Sequence, residues 1–341
     1  MPGMQLIKDA PLRWGGGTLT PPDLRVLVTG GAGFIGRKLV GHLLADGRSV
    51  TVLDDLSARN SGDLPRHPWL KFIPASVLDE AAVRESSRGA HLIFHLASLV
   101  GMRRVVPNLE LTYQTSVKGA LNVLKWTGNA PVVLFSSSAV YGHLSGGNTG
   151  EGQEINEETP LAYDGGHRGY ASGKWQMERL GLEASVNGRP VMILRPFNIV
   201  GTGQNTDGMV IPTFVDKAIA NMPIPVFDDG LQTRAFGCVD YFIGCLMRLV
   251  AGTEAWRTPR NIINLGSSRQ TSILDLAKII KEETQSHSCL EFIPFDRVYP
   301  GLRDVRTREA NTQRLEGLIG PVKWPDIRTI IRSILLDLDK N

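Results

Sequence analysis

The stretch that most constrains this chain runs from Arg25 to Asp55. Arg25–Thr29 is a short apolar, β-branched run, glycines follow at 30, 31, 33 and 36, and Leu39, Leu43 and Leu44 then recur at helical spacing. A strand that enters a helix through glycines lets the backbone come close to a ligand, because no Cβ holds it away. The unpaired N–H groups of the helix start then favour a phosphate. Gly30, Gly33 and Gly36 form a GxxGxxG turn, spaced differently from GxGxxG, and in a chain with 37 glycines the pattern by itself is weak. Its context gives it weight. A second strand at 49–53 ends in Asp54-Asp55, roughly 20 residues after the turn, where a carboxylate accepts hydrogen bonds from ribose hydroxyls and repels a 2′-phosphate. The expected cofactor is therefore NAD rather than NADP, bound by Gly30, Gly33, Phe34, Ile35, Gly36, Asp54 and Asp55.

Further strands are expected at 71–75, 91–95, 131–135 and 191–194, and helices at 79–88, Leu109–Trp126 and 169–186. Strands alternating with helices imply βαβ units, hence an α/β fold with a doubly wound parallel sheet of Rossmann type. After Gly201 the elements shorten, with helices expected at 272–281 and 326–338. The expected division is a flexible leader at 1–24, a cofactor domain mainly at 25–200, and a smaller C-terminal α/β substrate-binding cap mainly at 201–341, with some chain exchange. The glycine-rich stretch 142–169 is long enough to be a functional loop beside the substrate.

Composition excludes several classes. Lys and Arg number 37 against 34 Asp and Glu, so the formal charge of +3 gives no reason to expect nucleic acid. No run reaches the ~18 apolar residues of a membrane helix, and the leader lacks the apolar core of a signal peptide. Cys238, Cys245 and Cys289 offer neither a disulfide framework nor zinc spacing, which fits a cytoplasmic protein. Cys238 and Cys245 read as small core residues, and His91 and His95, bracketing a strand, as structural rather than metal-binding.

Tyr170 and Lys174 lie four residues apart, on one face of a helix. They follow Leu134-Phe135-Ser136-Ser137-Ser138-Ala139-Val140-Tyr141-Gly142, a strand running into hydroxyls at the carboxyl edge of the sheet. A tyrosine of pKa ~10 is a poor base, but a neighbouring lysine and a positive nicotinamide ring both favour the phenolate. Tyr170 is then expected to take a proton from a sugar or alcohol hydroxyl, with a serine bonding the reacting oxygen.

Together with His95-Leu96-Ala97, Leu194-Arg195-Pro196-Phe197-Asn198-Ile199-Val200-Gly201 and Asn264-Leu265-Gly266, these motifs resemble the extended short-chain dehydrogenase/reductases, in the nucleotide-sugar epimerase/dehydratase branch, over roughly residues 24–338. The resemblance implies a catalytic Ser137, Tyr170 and Lys174, with Lys174 also on the nicotinamide ribose. It places Leu96, Ala97 and Ser98 along the cofactor and Ser76 and Val77 at the adenine. A nucleotide-diphosphate sugar, most readily a UDP-sugar, is implied as substrate, met by Ser137, Ser138, Asn198, Phe227 near the base, Arg234 on the diphosphate and Arg303 as a second phosphate contact. Relatives pair as homodimers through the helices around 109–126 and 169–186.

Three departures narrow the reaction. Dehydratases of this branch carry an Asp-Glu pair where this chain has Ser138 and Ala139, and decarboxylases a glutamate at the position of Ala139. Asn198, where uronate epimerases often have threonine, favours a neutral sugar, whereas Arg103-Arg104 offers a partner to a carboxylate. Ser116 stands where the family usually has asparagine. What remains is NAD-dependent 4-epimerisation through a transient 4-keto sugar. The alternatives are 5,6-dehydration or 4-ketoreduction on the same scaffold, and a non-catalytic NAD sensor. Whether Ser137 or Ser138 is the working hydroxyl is left open by the sequence.

Overall fold

The computed structural model describes residues 24–58, 64–142, 155–159, 169–206, 208–256, 261–301 and 304–339, and the backbone of two short strands, Leu12–Trp14 and Gly17–Leu19, which pair antiparallel within the leader. Arg303, the rest of the leader, and 143–154 and 160–168 of the long loop lie outside the described residues.

The central sheet is built from β1 (Arg25–Thr29), β2 (Ser49–Asp54), β3 (Leu70–Pro74), β4 (Leu92–His95), β5 (Val132–Phe135), β6 (Val191–Pro196) and β7 (Ile262–Leu265). All neighbours are parallel and the order is β3-β2-β1-β4-β5-β6-β7, so the chain winds outward in both directions from β1. That reversal opens a crevice at the carboxyl ends of β1 and β4, where ligands of such folds bind. The helices that concern the site are α1 (Phe34–Ala45), α2 (Glu80–Ser86), α3 (Leu109–Trp126) and α4 (Tyr170–Val186).

Side-chain alternation along β1 shows why the sheet is buried on both faces. Val26 and Val28 pack with Leu39 and Leu43 of α1 and with Phe242 and Leu246 of the helix Val239–Ala251. Leu27 points the other way, into a core with Val83 of α2, Ala120 and Val123 of α3 and Met177 of α4. A sheet sandwiched in this manner is the physical reason its strands read as continuous apolar runs. The C-terminal part has a separate core around Ile211, Phe214, Leu276, Ile280, Ile331 and Ile334, under a parallel pair, Ile224–Phe227 with Leu290–Ile293. The chain also returns to the main sheet, because β7 pairs with β6. Among the described residues no helix is long and apolar enough to cross a membrane.

Candidate active site

The glycine turn is held from both sides. Gly30 has φ +70°, a left-handed conformation that glycine adopts freely, and a Cβ there would lie 2.6 Å from the Ala97 nitrogen at the end of β4. At Gly36 a Cβ would overlap the Gly30 carbonyl oxygen. Asp54, at the end of β2, braces the same turn: one carboxylate oxygen accepts from the Ala32 N–H at 3.0 Å and the other from the Leu56 N–H at 2.9 Å. Burial holds its pKa above the usual carboxylate range, against the pull of those backbone bonds. Asp55 accepts from the Ser57 N–H. Helix α1 begins after Gly33 with no side-chain cap, so its first-turn N–H groups face the crevice without a local acceptor. Phe34 and Ile35 open that turn and pack on the core.

The β4 end forms the opposite wall. The Leu96 N–H donates to the Thr29 carbonyl, and Ser98 donates to the Leu99 carbonyl. Ser76 caps its own loop by accepting from the Leu78 N–H, while Val77 is buried and its carbonyl accepts from Asn122 of α3. Cβ atoms at Gly30 and Gly36 would meet backbone, so the turn needs bare glycine, and with the uncapped start of α1 and the Asp54 carboxylate beside it the residues present suit a dinucleotide.

On the other side of the crevice, β5 delivers Phe135, Ser136 and Ser137 into a turn of 3₁₀ helix, Ser138–Tyr141. Ser137 caps this turn, its Oγ accepting from the Ala139 N–H at 3.1 Å, and it shares a side-chain hydrogen bond with Tyr170. Ser138 is buried. The geometry thus couples Ser137, not Ser138, to the phenol. Tyr170 starts α4, where Ser172 accepts from the Gly169 N–H and fixes the first turn. Lys174, one turn later and 2% exposed, donates from Nζ to the Phe135 carbonyl at 2.6 Å, with Nζ 5.9 Å from the Tyr170 ring centre. Strand β5 and helix α4 are therefore tied together at the three residues the sequence singles out.

Burial acts on both ionisable groups. Burial raises the Tyr170 pKa, and the Ser137 bond offsets only part of that; Lys174 gives the phenol no hydrogen bond. Burial also brings the Lys174 ammonium down to about 7, opposed by the charge of Glu178. Removing both groups from water disfavours the charged form of each.

Several partners escaped the sequence reading. Arg195 of β6 pairs with Glu178 of α4 through two bonds, Nε to Oε1 at 2.9 Å and Nη2 to Oε2 at 2.7 Å, both side chains almost fully buried. Ser136 donates to the same carboxylate at 2.5 Å. Arg195 donates on to the Tyr141 hydroxyl, which donates to Asn264 of β7, whose backbone N–H reaches Glu157. This chain of bonds runs directly beneath the serine segment. The i,i+4 spacing of Lys174 and Glu178 is visible in sequence, but their partners on β5 and β6, Phe135 and Arg195, lie 39 and 17 residues away. His95 is buried, its Nδ1 2.7 Å from the Thr29 hydroxyl, and burial with the nearby Lys174 charge lowers its pKa to about 3. His91 accepts from the Arg25 N–H, so both histidines hold strands as expected.

The remaining residues lie after β6 in the chain. Asn198, at φ +38°, donates to the Ala235 carbonyl. Phe227 meets Phe295 and Tyr299 edge-on at 5.5 and 6.0 Å, an aromatic cluster of which the sequence showed only the first member. Arg234 is paired with Asp304 at 2.6 Å and also donates to the Val305 carbonyl. Arg308, unforeseen, lies close to this pair and donates to the Gly142 carbonyl at 3.1 Å. Cys245 is in the core, as expected, whereas Cys238 is only half-buried, at the start of its helix.

A doubly wound parallel sheet with a glycine turn at its switch point defines a dinucleotide-binding protein, and the Ser137, Tyr170 and Lys174 cluster on the same edge marks the short-chain dehydrogenase/reductase type. Residues 26–266 match the model of the NAD dependent epimerase/dehydratase family. The chain belongs to that family, and NAD is its cofactor. It is 31% identical over 308 residues to a UDP-N-acetyl-alpha-D-glucosaminuronate decarboxylase of Bacillus cytotoxicus, covering 86% of this chain and 90% of the relative. It is 29% identical to the UDP-glucose 4-epimerase of Mycolicibacterium smegmatis, covering 87% and 93%. Its fold is that of an epimerase from Methanothermobacter thermautotrophicus, with a TM-score of 0.82, 24% identity and coverage of 94% and 93%. Epimerases and decarboxylases of nucleotide sugars therefore both stand among its relatives.

Proposed function

We propose that the protein is a nucleotide-sugar 4-epimerase. The observation that carries this reading is the chemistry at the serine segment. Ser137 and Tyr170 are coupled, Ala139 supplies no acid or base, and the two carboxylates nearest in the bonding network are committed, Glu178 to Arg195 and Glu157 to the Asn264 N–H. With these groups the proton of one sugar hydroxyl can be taken and returned, but neither committed carboxylate is free to act as a separate acid for dehydration.

NAD, when bound, supplies a reversible hydride acceptor. Gly30, Gly33 and Gly36 bring the backbone to its diphosphate, Asp54 faces a ribose, and Leu96, Ala97 and Ser98 line the wall. The Ser137 hydroxyl orients the C4 oxygen of the sugar. Tyr170 accepts the C4 hydroxyl proton, Lys174 in its ammonium form favours the phenolate, and after the 4-keto sugar has turned in the pocket Tyr170 gives the proton back. Phe227 with Phe295 and Tyr299 offers ring edges to a base, and Arg234 a planar fork to a diphosphate. In the same reading the protein is a cytoplasmic homodimer: α3 and α4 pack on each other and leave Leu111 and Leu121 of α3 exposed.

Purified protein incubated with UDP-glucose, UDP-N-acetylglucosamine and UDP-glucuronate should yield the C4 epimer of at least one of them without added NAD. Tyr170→Phe should abolish turnover while retaining NAD. Loss of carbon dioxide, a 5,6-unsaturated product, net ketoreduction, or full activity in Tyr170→Phe would each overturn the proposal.

A further inference from the structure

Arg308 is a half-buried cation that the described residues leave partly without partners. Its Nε is enclosed and has no hydrogen-bond partner, and among the described residues it forms no ion pair. Among the described residues Nη2 alone is engaged, with the Gly142 carbonyl. The nearest carboxylate, Asp304, is already held by Arg234, so two guanidinium groups share one negative charge. The segment carrying Arg308 is fixed: Ile155 donates to the Glu309 carbonyl, Ile155 bridges to Ala310, and Gln270 donates to the Arg308 carbonyl. The guanidinium is thus built into its place. A cation partly withdrawn from water with no counter-charge of its own is costly, and an anion arriving there is correspondingly well bound.

The position indicates which anion. Gly142 closes the turn that begins at Ser137, the hydroxyl coupled to Tyr170, so Arg308 is tethered to the segment that faces the reacting sugar carbon. Arg234, by contrast, sits on the strand Thr233–Ala235, on the cap side with Phe227. Asn198, which taken alone pointed to a neutral sugar, is occupied by the Ala235 carbonyl.

We infer that Arg308 is a specificity-determining residue that recognises a carboxylate on the sugar itself, so that the preferred substrate class is nucleoside-diphosphate uronic acids. The inference rests on the epimerase reading only in placing the sugar beside Ser137 and Tyr170. Its test is binding rather than turnover, which keeps the two separable. Dissociation constants for UDP-glucuronate, UDP-glucose and UDP are measured by calorimetry on the protein as purified with its NAD. Wild type should bind UDP-glucuronate roughly 10- to 100-fold more tightly than UDP-glucose, the range of a charge-assisted bond. Arg308→Gln should erase that preference while leaving UDP and UDP-glucose within about threefold of wild type, and Arg308→Lys should fall between. Wild type that binds UDP-glucose as tightly as UDP-glucuronate overturns the inference without any variant. So does Arg308→Gln weakening all three ligands equally, which would assign Arg308 to the diphosphate. Charge-selective binding without any C4 epimer formed would instead sink the epimerase reading and leave this one standing.

Discussion

Replacing Glu178 by leucine isolates the most heavily invested electrostatic feature of the site. Glu178→Leu removes both charge-assisted bonds to Arg195 and the acceptor of the Ser136 hydroxyl, yet it fills nearly the same space. Arg195 is then left charged and 2% exposed, with only the Tyr141 hydroxyl and the Glu157 carbonyl as acceptors. Breaking a buried pair from one side costs about 3–5 kcal/mol, against a total stability on the order of 5–15 kcal/mol. The double variant Glu178→Leu/Arg195→Met removes the stranded charge as well and should recover most of that loss, to within about 2 kcal/mol of wild type. Urea unfolding of the wild type, the two single variants and the double variant measures this directly. A functional readout accompanies it. Glu178 supports the ammonium form of Lys174, whose pKa stands at about 7, so its loss should shift the high-pH limb of the activity profile to lower pH. If Glu178→Leu unfolds within about 1 kcal/mol of wild type, or the double variant is as unstable as the single one, the pair is not the buried, mutually dependent element described above.

Gly36→Ala should leave the sheet folded but lose the cofactor, because the new methyl overlaps the Gly30 carbonyl; NAD retained in stoichiometric amount after purification would contradict this. His95 has a folded pKa of about 3 against roughly 6.5 unfolded. The unfolded chain therefore binds the extra proton between those values, and stability should fall as pH drops from about 6.5 towards 3, by on the order of 4 kcal/mol. In His95→Gln that slope should largely vanish in a pH series of unfolding midpoints. Tyr141→Phe, which removes the link between Arg195 and Asn264, should cost about 1–2 kcal/mol and should not release NAD, as read from denaturation and cofactor content.

Local pattern carried much of the architecture. Helix Leu109–Trp126 lies at the bounds expected from its spacing, and the strand, glycine turn and helix at 25–45 stand as read, since glycine content and apolar period are properties of neighbouring residues. The Ser137, Tyr170 and Lys174 group was legible for a related reason: each sits at the start or end of an element, and in a wound parallel sheet all strand ends of one kind share an edge. Arg308, Phe295 and Tyr299 gave no such signal. An arginine in a stretch that also carries Arg303, Arg306 and Arg314 looks like any surface arginine until the fold sets it beside Arg234 and the Gly142 carbonyl.

The sequence by itself determined the kind of fold, the cofactor and the spacing of the Tyr170 and Lys174 pair, because turns, periods and short spacings act within one element and its neighbours. Tertiary structure alone decided which serine meets Tyr170, that burial pulls the Lys174 ammonium towards neutrality, and that Glu178 and Arg195 neutralise each other beneath the site. Those outcomes depend on desolvation and on contacts between residues far apart in the chain, and neither burial nor the identity of a distant partner is encoded in any local run of residues.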